Sequence, residues 1–219
     1  MNQSVVSEVS SNLLFRYRIP CAKIKDDKKT AVELPAANAI PDFSESDSGK
    51  SFSQLRTAWS ETGIYFWLKV QRKKQSLWCR KTQLLESDGL QIWLDTRDTH
   101  NVHRATKYCH WFLFLPEGDG GDQKKPISTM LKINRAREHS PAINQYPISV
   151  SSSVSKTGYT MAIFIPGTNI NGWETNEHRM IGFNYIVTDR ELGIDSLGLG
   201  VEFPISEDPS LWQTLILQG

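Results

Sequence analysis

The groups best suited to chemistry crowd into one stretch, DTRDTHNVHRATK, which spans residues 95–107. It offers the guanidinium forks of Arg97 and Arg104, the imidazoles of His100 and His103, and the carboxylates of Asp95 and Asp98. His110 follows three residues later. Planar guanidinium groups match carboxylate, sulfate or phosphate, and imidazoles donate or accept. Such a set suits an anion or a polyol. A metal reading would use His100, His103, Cys109 and His110, with Cys79, but the spacing supplies only half of a structural zinc signature, and Cys109 and His110 face opposite sides of a strand. Asp119 and Asp122 in EGDGGD offer oxygen ligands for calcium without the register of a helix–loop–helix calcium site.

Catalytic signatures are absent. The chain has no G-x-S-x-G, no HExxH and no phosphate-cradling glycine loop opening a helix. The expectation is a protein that is not an enzyme.

The elements that must carry these groups read as strands. Leu90, Ile92 and Leu94 alternate with Gln91, Trp93 and Asp95, the period of a strand with one buried face. Tyr108–Leu115 is apolar on both faces and predicts a covered central strand. Gln54–Trp59 and Ile64–Val70 form a hairpin across Ser60–Gly63, where Gly63 is expected to supply the turn conformation. Ser155–Gly158 marks a second hairpin turn, leading into Tyr159–Ile165. Further strands are expected near Leu14–Ile24, with Pro20 at an edge or bulge, and at Ile127–Ile133, Ile148–Val154, Met180–Asp189 and from Leu211 onward. About ten short strands without a long amphipathic helix predict an all-β fold, two antiparallel sheets packed as a sandwich of jelly-roll or immunoglobulin-like type.

With 219 residues, 39% hydrophobic and 22% charged, the chain can bury a core in one unit. The expected organisation is a loose, serine-rich arm over residues 1–12 and a single sandwich domain over 13–219. A formal net charge of +1 gives neither nucleic acid nor an acidic membrane a bulk attraction. Three unpaired-looking cysteines and no visible signal peptide or membrane span point to a cytoplasmic location.

Four segments carry a resemblance: the hairpin AWSETGIYFWLKV, the strand SDGLQIWLD, the pair GYTMAIFIP and IGFNYIVTD, and the ending DPSLWQTLIL. Together, over roughly Phe52–Leu217, they resemble the family 9 carbohydrate-binding modules and the wider DOMON-like β-sandwiches. Asp88 matches the family's strand-opening aspartate. Leu85 stands where the family has a sugar-clamping tryptophan, and no aromatic precedes Asp208-Pro209. The resemblance implies a non-catalytic module that binds a saccharide or other polar ligand on a concave face. Its expected site is Trp78, Gln91, Arg97, His103, Arg104 and His110: Trp78 (or, in its place, Trp173) would stack, Gln91 and His110 would bond hydroxyls, and the arginines would hold any negative group. Structural calcium is compatible with that resemblance; no other cofactor is implied. A protein-interaction or structural domain, and an enzyme using the His/Arg/Asp loop, remain the alternatives.

Overall fold

A computed structural model describes residues 16–25, 30–42, 51–141, 147–199 and 201–219. The arm expected over 1–12 lies outside the described residues. Eleven strands follow in order: β1 (Arg18–Lys23), β2 (Ser53–Ser60), β3 (Gly63–Gln71), β4 (Gly89–Asp95), β5 (Cys109–Asp119), β6 (Lys125–Leu131), β7 (Ser149–Ser155), β8 (Gly158–Pro166), β9 (Met180–Asp189), β10 (Gly193–Ser196) and β11 (Gln213–Gln218). They join in the order β6-β5-β4-β9-β11-β1-β2-β3-β8-β7, with β10 on β9. The fold is an all-β sandwich in which one continuous sheet folds over on itself. Its two ends, β6 and β7, lie against each other, so the sheet is nearly closed.

Alternation decides which side chains meet inside. Leu90, Ile92 and Leu94 of β4 point inward with Phe112 and Phe114 of β5 and with Phe183 and Val187 of β9. They pack against Phe66, Leu68, Met161 and Ile163 from the opposite half. Phe66 stacks on Phe183 with ring centroids 5.9 Å apart, joining the two layers at their centre. β5 is buried along most of its length because a second layer of side chains covers its outer face. Trp93, Trp111 and Trp212 cluster there beneath Ile133, Leu199 and Ile205, while Cys79, Leu113 and Leu115 pack beneath Leu77 and Leu84.

Two expectations need correcting. The sheet is not wholly antiparallel: β1 runs parallel to both β11 and β2. Pro20 sits where β1 pairs with β11 alone, since contact with β2 begins at Ala22. The missing proline N–H therefore faces a side without a ladder, as edge placement requires. Gly63 does not serve through an unusual backbone angle, because it is not among the glycines with positive φ. A Cβ there would lie 2.3 Å from the Ile165 carbonyl oxygen of β8. Glycine lets the two strands approach. Gly63→Ala must push backbone aside and is expected to lower stability by about 3 kcal/mol, the upper range for overpacking. Urea denaturation measures this, and a loss below about 0.5 kcal/mol would show that the strands separate freely.

Candidate functional site

The six residues singled out above do not converge. Trp78 lies beside the start of β4, where its N–H donates to Asp88 Oδ2 at 3.1 Å. Its indole lies under the guanidinium of Arg190, 4.4 Å from the ring centroid, with Arg80 at 5.7 Å. Those cations compete with a sugar for the ring. Arg97, His103 and Arg104 follow the other end of β4, roughly 20 Å away along a seven-residue strand. Gln91 is half-buried on the outer face, in register with Leu113 and Ile186. His110 pairs with Leu94 and stacks against Phe112 on the inner face. Gln91 and His110 are thus separated by the sheet itself.

Arg97 and His110 do share a task. Both hold the segment 167–174 that follows β8. The His110 Nε2 accepts the Asn171 N–H at 2.8 Å. Accepting there makes the ring neutral with its proton on Nδ1, and burial pushes its pKa down to about 4. The Arg97 Nη1 donates to the Gly172 carbonyl at 3.0 Å, and Nη2 donates to Glu174 Oε2 at 2.8 Å. The guanidinium also lies over Tyr108, 4.2 Å from the ring centroid. Thr96 Oγ1 donates to the Asn171 carbonyl at 2.9 Å. Gly172 has φ +81, a left-handed conformation that favours glycine, and a Cβ there would come within 2.8 Å of Thr96 Oγ1 and Arg97 Nη1.

The segment held in this way lines a cleft of about 660 Å³, walled by Trp173, Phe164 and Pro166 and edged by Glu61, Thr62, Thr168, Asn171 and Glu174. That volume suits a small organic ligand. Trp173 is half-buried. Its Nε1 donates to the Glu61 carbonyl at 3.2 Å, and its ring rests so closely on Gly167 that a Cβ there would fall 2.2 Å from Cδ1. The indole is fixed, with a polar rim around it. Glu61 is exposed and paired with Lys23 at 2.9 Å, whose hydrogen bond holds its pKa below the ordinary carboxylate range.

His103 and Arg104 sit elsewhere. His103 Nδ1 lies 3.1 Å from both Asp208 Oδ2 and Ser210 Oγ. These three residue types suggest a nucleophile relay, but a relay threads the imidazole between serine and acid through both ring nitrogens. Here both partners meet the same nitrogen, and the Ser210 hydroxyl donates to Asp208 Oδ1 at 2.6 Å. Arg104 Nε donates to the Arg135 carbonyl at 2.7 Å.

Metal-ligating groups are likewise dispersed. His100 Nε2 lies 2.8 Å from Asp98, Asp119 pairs with Lys81, and Asp122 Oδ1 accepts the Lys124 N–H. Among the described residues, Glu174, Glu177 and His178 are the group whose ligand atoms come within 4.8 Å of one another. All three cysteines are free and buried, and burial pushes each thiol up to about 12.

Sequence reading missed a buried ion cluster centred on Lys73. Lys73 Nζ donates to Asp189 Oδ1 and Oδ2 at 2.8 and 2.7 Å and to Asp88 Oδ2 at 3.0 Å. The lysine side chain is 3% exposed and both aspartates 0%. Burial pulls the lysine pKa down, but hydrogen bonds to Asp189 and Asp88 outweigh it and leave the pKa raised. The remaining carboxylate oxygen of Asp88 accepts the Arg190 N–H, and Asp189 accepts the N–H groups of Glu191 and Leu192. This cluster ties the 72–78 connection to the start of β4 and the end of β9.

No family model matches the chain, and no curated protein matches it. Solved structures share the fold, three among them as follows. A family 9 carbohydrate-binding module from Caldicellulosiruptor kristjanssonii in complex with cellotriose superposes with a TM-score of 0.61 at 12% identity, covering 93% of this chain and 94% of that one. A module of the same family and organism, in complex with glucose, gives 0.61 at 14% identity, covering 93% and 96%. A presumed carbohydrate-binding protein from Bacteroides uniformis gives 0.54 at 12% identity, covering 93% and 100%. The fold is that of family 9 modules.

Proposed function

We propose that this chain is a non-catalytic binding module that takes a saccharide in the Trp173 cleft. One observation carries the reading: a rigidly held indole forms the wall of a 660 Å³ cleft whose rim presents carboxylate, amide and hydroxyl groups. An apolar sugar face stacks on an indole while its hydroxyls bond to such a rim. The fold supports it, since two of its structural neighbours hold cellotriose and glucose. In this reading Trp173 stacks and Glu61, Asn171 and Glu174 bond hydroxyls. Arg97 and His110 act as positioning residues that keep the cleft-lining segment in place.

The test is a titration of mono- and oligosaccharides, glucose and cellotriose included, followed by tryptophan fluorescence and melting temperature. The expected result is a saturable shift that Trp173→Ala weakens at least about tenfold, ~1.4 kcal/mol. Gln91→Ala should leave that binding unchanged. Loss in Gln91→Ala with retention in Trp173→Ala would move the site to the outer sheet face. Flat titrations throughout would reject the saccharide reading in favour of a protein partner. Repeating the melts with calcium and with EDTA tests for a structural cation, which would stabilise the folded state by mass action.

A further inference from the structure

A second surface stands apart from the cleft. The loop after β4 and the segment after β6 are stapled together: Arg104 Nε donates to the Arg135 carbonyl at 2.7 Å, and the Arg137 N–H donates to the Ala105 carbonyl at 2.7 Å. This brings Arg104, Arg135 and Arg137 onto one exposed face, flanked by His103, Lys132 and His139, all exposed. Arg16 joins its margin through a hydrogen bond to the Ser210 carbonyl, beside His103. Nearby acids are Glu138, Glu207 and Asp208. Asp208 is engaged by Ser210 and His103, and Glu207 reaches Arg135 only at 3.9 Å. Arg135 is held at φ +54, an uncommon conformation for a residue with a side chain. In a chain of net charge +1, so many cations on one face amount to segregation rather than composition.

We propose that this arginine face binds the sulfate or carboxylate groups of an acidic polysaccharide, so that the chain engages a charged glycan. The inference rests on the saccharide reading for the class of polymer and on the arginine face for its charge. Guanidinium forks suit planar or tetrahedral oxyanions, and three of them on adjoining backbone can engage successive charges of one strand. Single-stranded nucleic acid is the less suitable partner. Such binders stack bases on a row of exposed aromatic rings, whereas in the cluster that includes Ala105 and Ile133 the rings of Trp93, Trp111 and Trp212 are buried and Phe203 alone is half-buried.

The experiment uses the full chain and heparin as a sulfated glycan, with dextran and a mixed-sequence single-stranded DNA as competitors. Affinity is measured by calorimetry from low to high salt. The wild type should bind heparin, and a triple variant Arg104→Gln/Arg135→Gln/Arg137→Gln should weaken it at least about tenfold, with the salt slope shallower by roughly one per arginine removed. Lys74→Gln/Lys156→Gln, exposed cations at a different cleft, should change it less than twofold. Melting temperatures of the variants confirm that each is folded. No binding to heparin, equal loss in the lysine variant, or tighter binding to the DNA would each overturn the proposal. A failure of the cleft reading is separately visible: it appears as indifference of neutral-sugar binding to Trp173→Ala, a substitution that leaves the arginine face untouched.

Discussion

Replacing Lys73 by methionine is expected to cost about 3–5 kcal/mol of folding stability at neutral pH, the range for breaking a buried ion pair from one side. The reason is what remains. Asp88 and Asp189 are fully buried and both bond the same ammonium. Without it, two like charges face each other away from water, and their backbone donors cannot neutralise both. One companion measurement separates this from lost packing: adding Asp88→Asn and Asp189→Asn should recover much of the loss by removing the unpaired charge. If Lys73→Met alone unfolds no earlier in urea than wild type, the cluster is a passive feature of the loop and not a clamp between β4 and β9.

The second large effect concerns pH. His110 is 1% exposed and its pKa lies at about 4, below the 6.5 of an unburied histidine, because burial disfavours the charged ring. Above pH 6.5 the ring is neutral folded or unfolded, and it contributes no pH dependence. Between 6.5 and 4 the unfolded chain takes up a proton that the folded protein refuses, so stability falls as pH falls. At ~1.4 kcal/mol per pH unit the loss amounts to about 3 kcal/mol. Below 4 the folded ring also titrates, and a protonated Nε2 cannot accept the Asn171 N–H, so the cleft segment loses that tether. His110→Gln keeps an acceptor near that position but cannot titrate. Unfolding free energies at pH 7 and pH 4.5 should therefore diverge by about 2.5 kcal/mol less in the variant than in wild type. Equal divergence would assign the acid sensitivity to other groups.

The strands were readable wherever side chains alternate over a solvent-facing or core-facing stretch, and the alternation from Leu90 to Asp95 coincides with β4 but for Gly89. β10 was missed because Gly-Ile-Asp-Ser is too short to show a period. The parallel placement of β1 was equally hidden, since nothing local in Arg-Ile-Pro-Cys-Ala-Lys indicates that its partners are β11 and β2. For the site, the sequence located the reactive residue types but not their direction. Arg97 and His110 were read as ligand contacts, yet one reaches backbone carbonyls and the other an amide, and what they shape is a cleft lined mainly by other residues. The Asn171-Gly172 turn before Trp173 was the local signal for that cleft. Lys73 gave no such signal. Its partners lie 15 and 116 residues away, and in a basic connection it looks like any solvated lysine.

The position of β1 also has a consequence for how the chain reaches this state. β11 is the last strand of the order along the chain, and β1 gains its long ladder only by pairing with it, Arg18 with Thr214 through Ala22 with Gln218. During synthesis the two halves of the barrel-like sheet therefore exist before the seam between them can be sewn. Until residues 213–218 are made, β9 and β1 present open edges, and unpaired edges recruit other strands. Closing a contact so distant along the chain makes folding slow compared with a helical protein of the same size. Removing β11 should yield a chain that aggregates during expression rather than a smaller folded core.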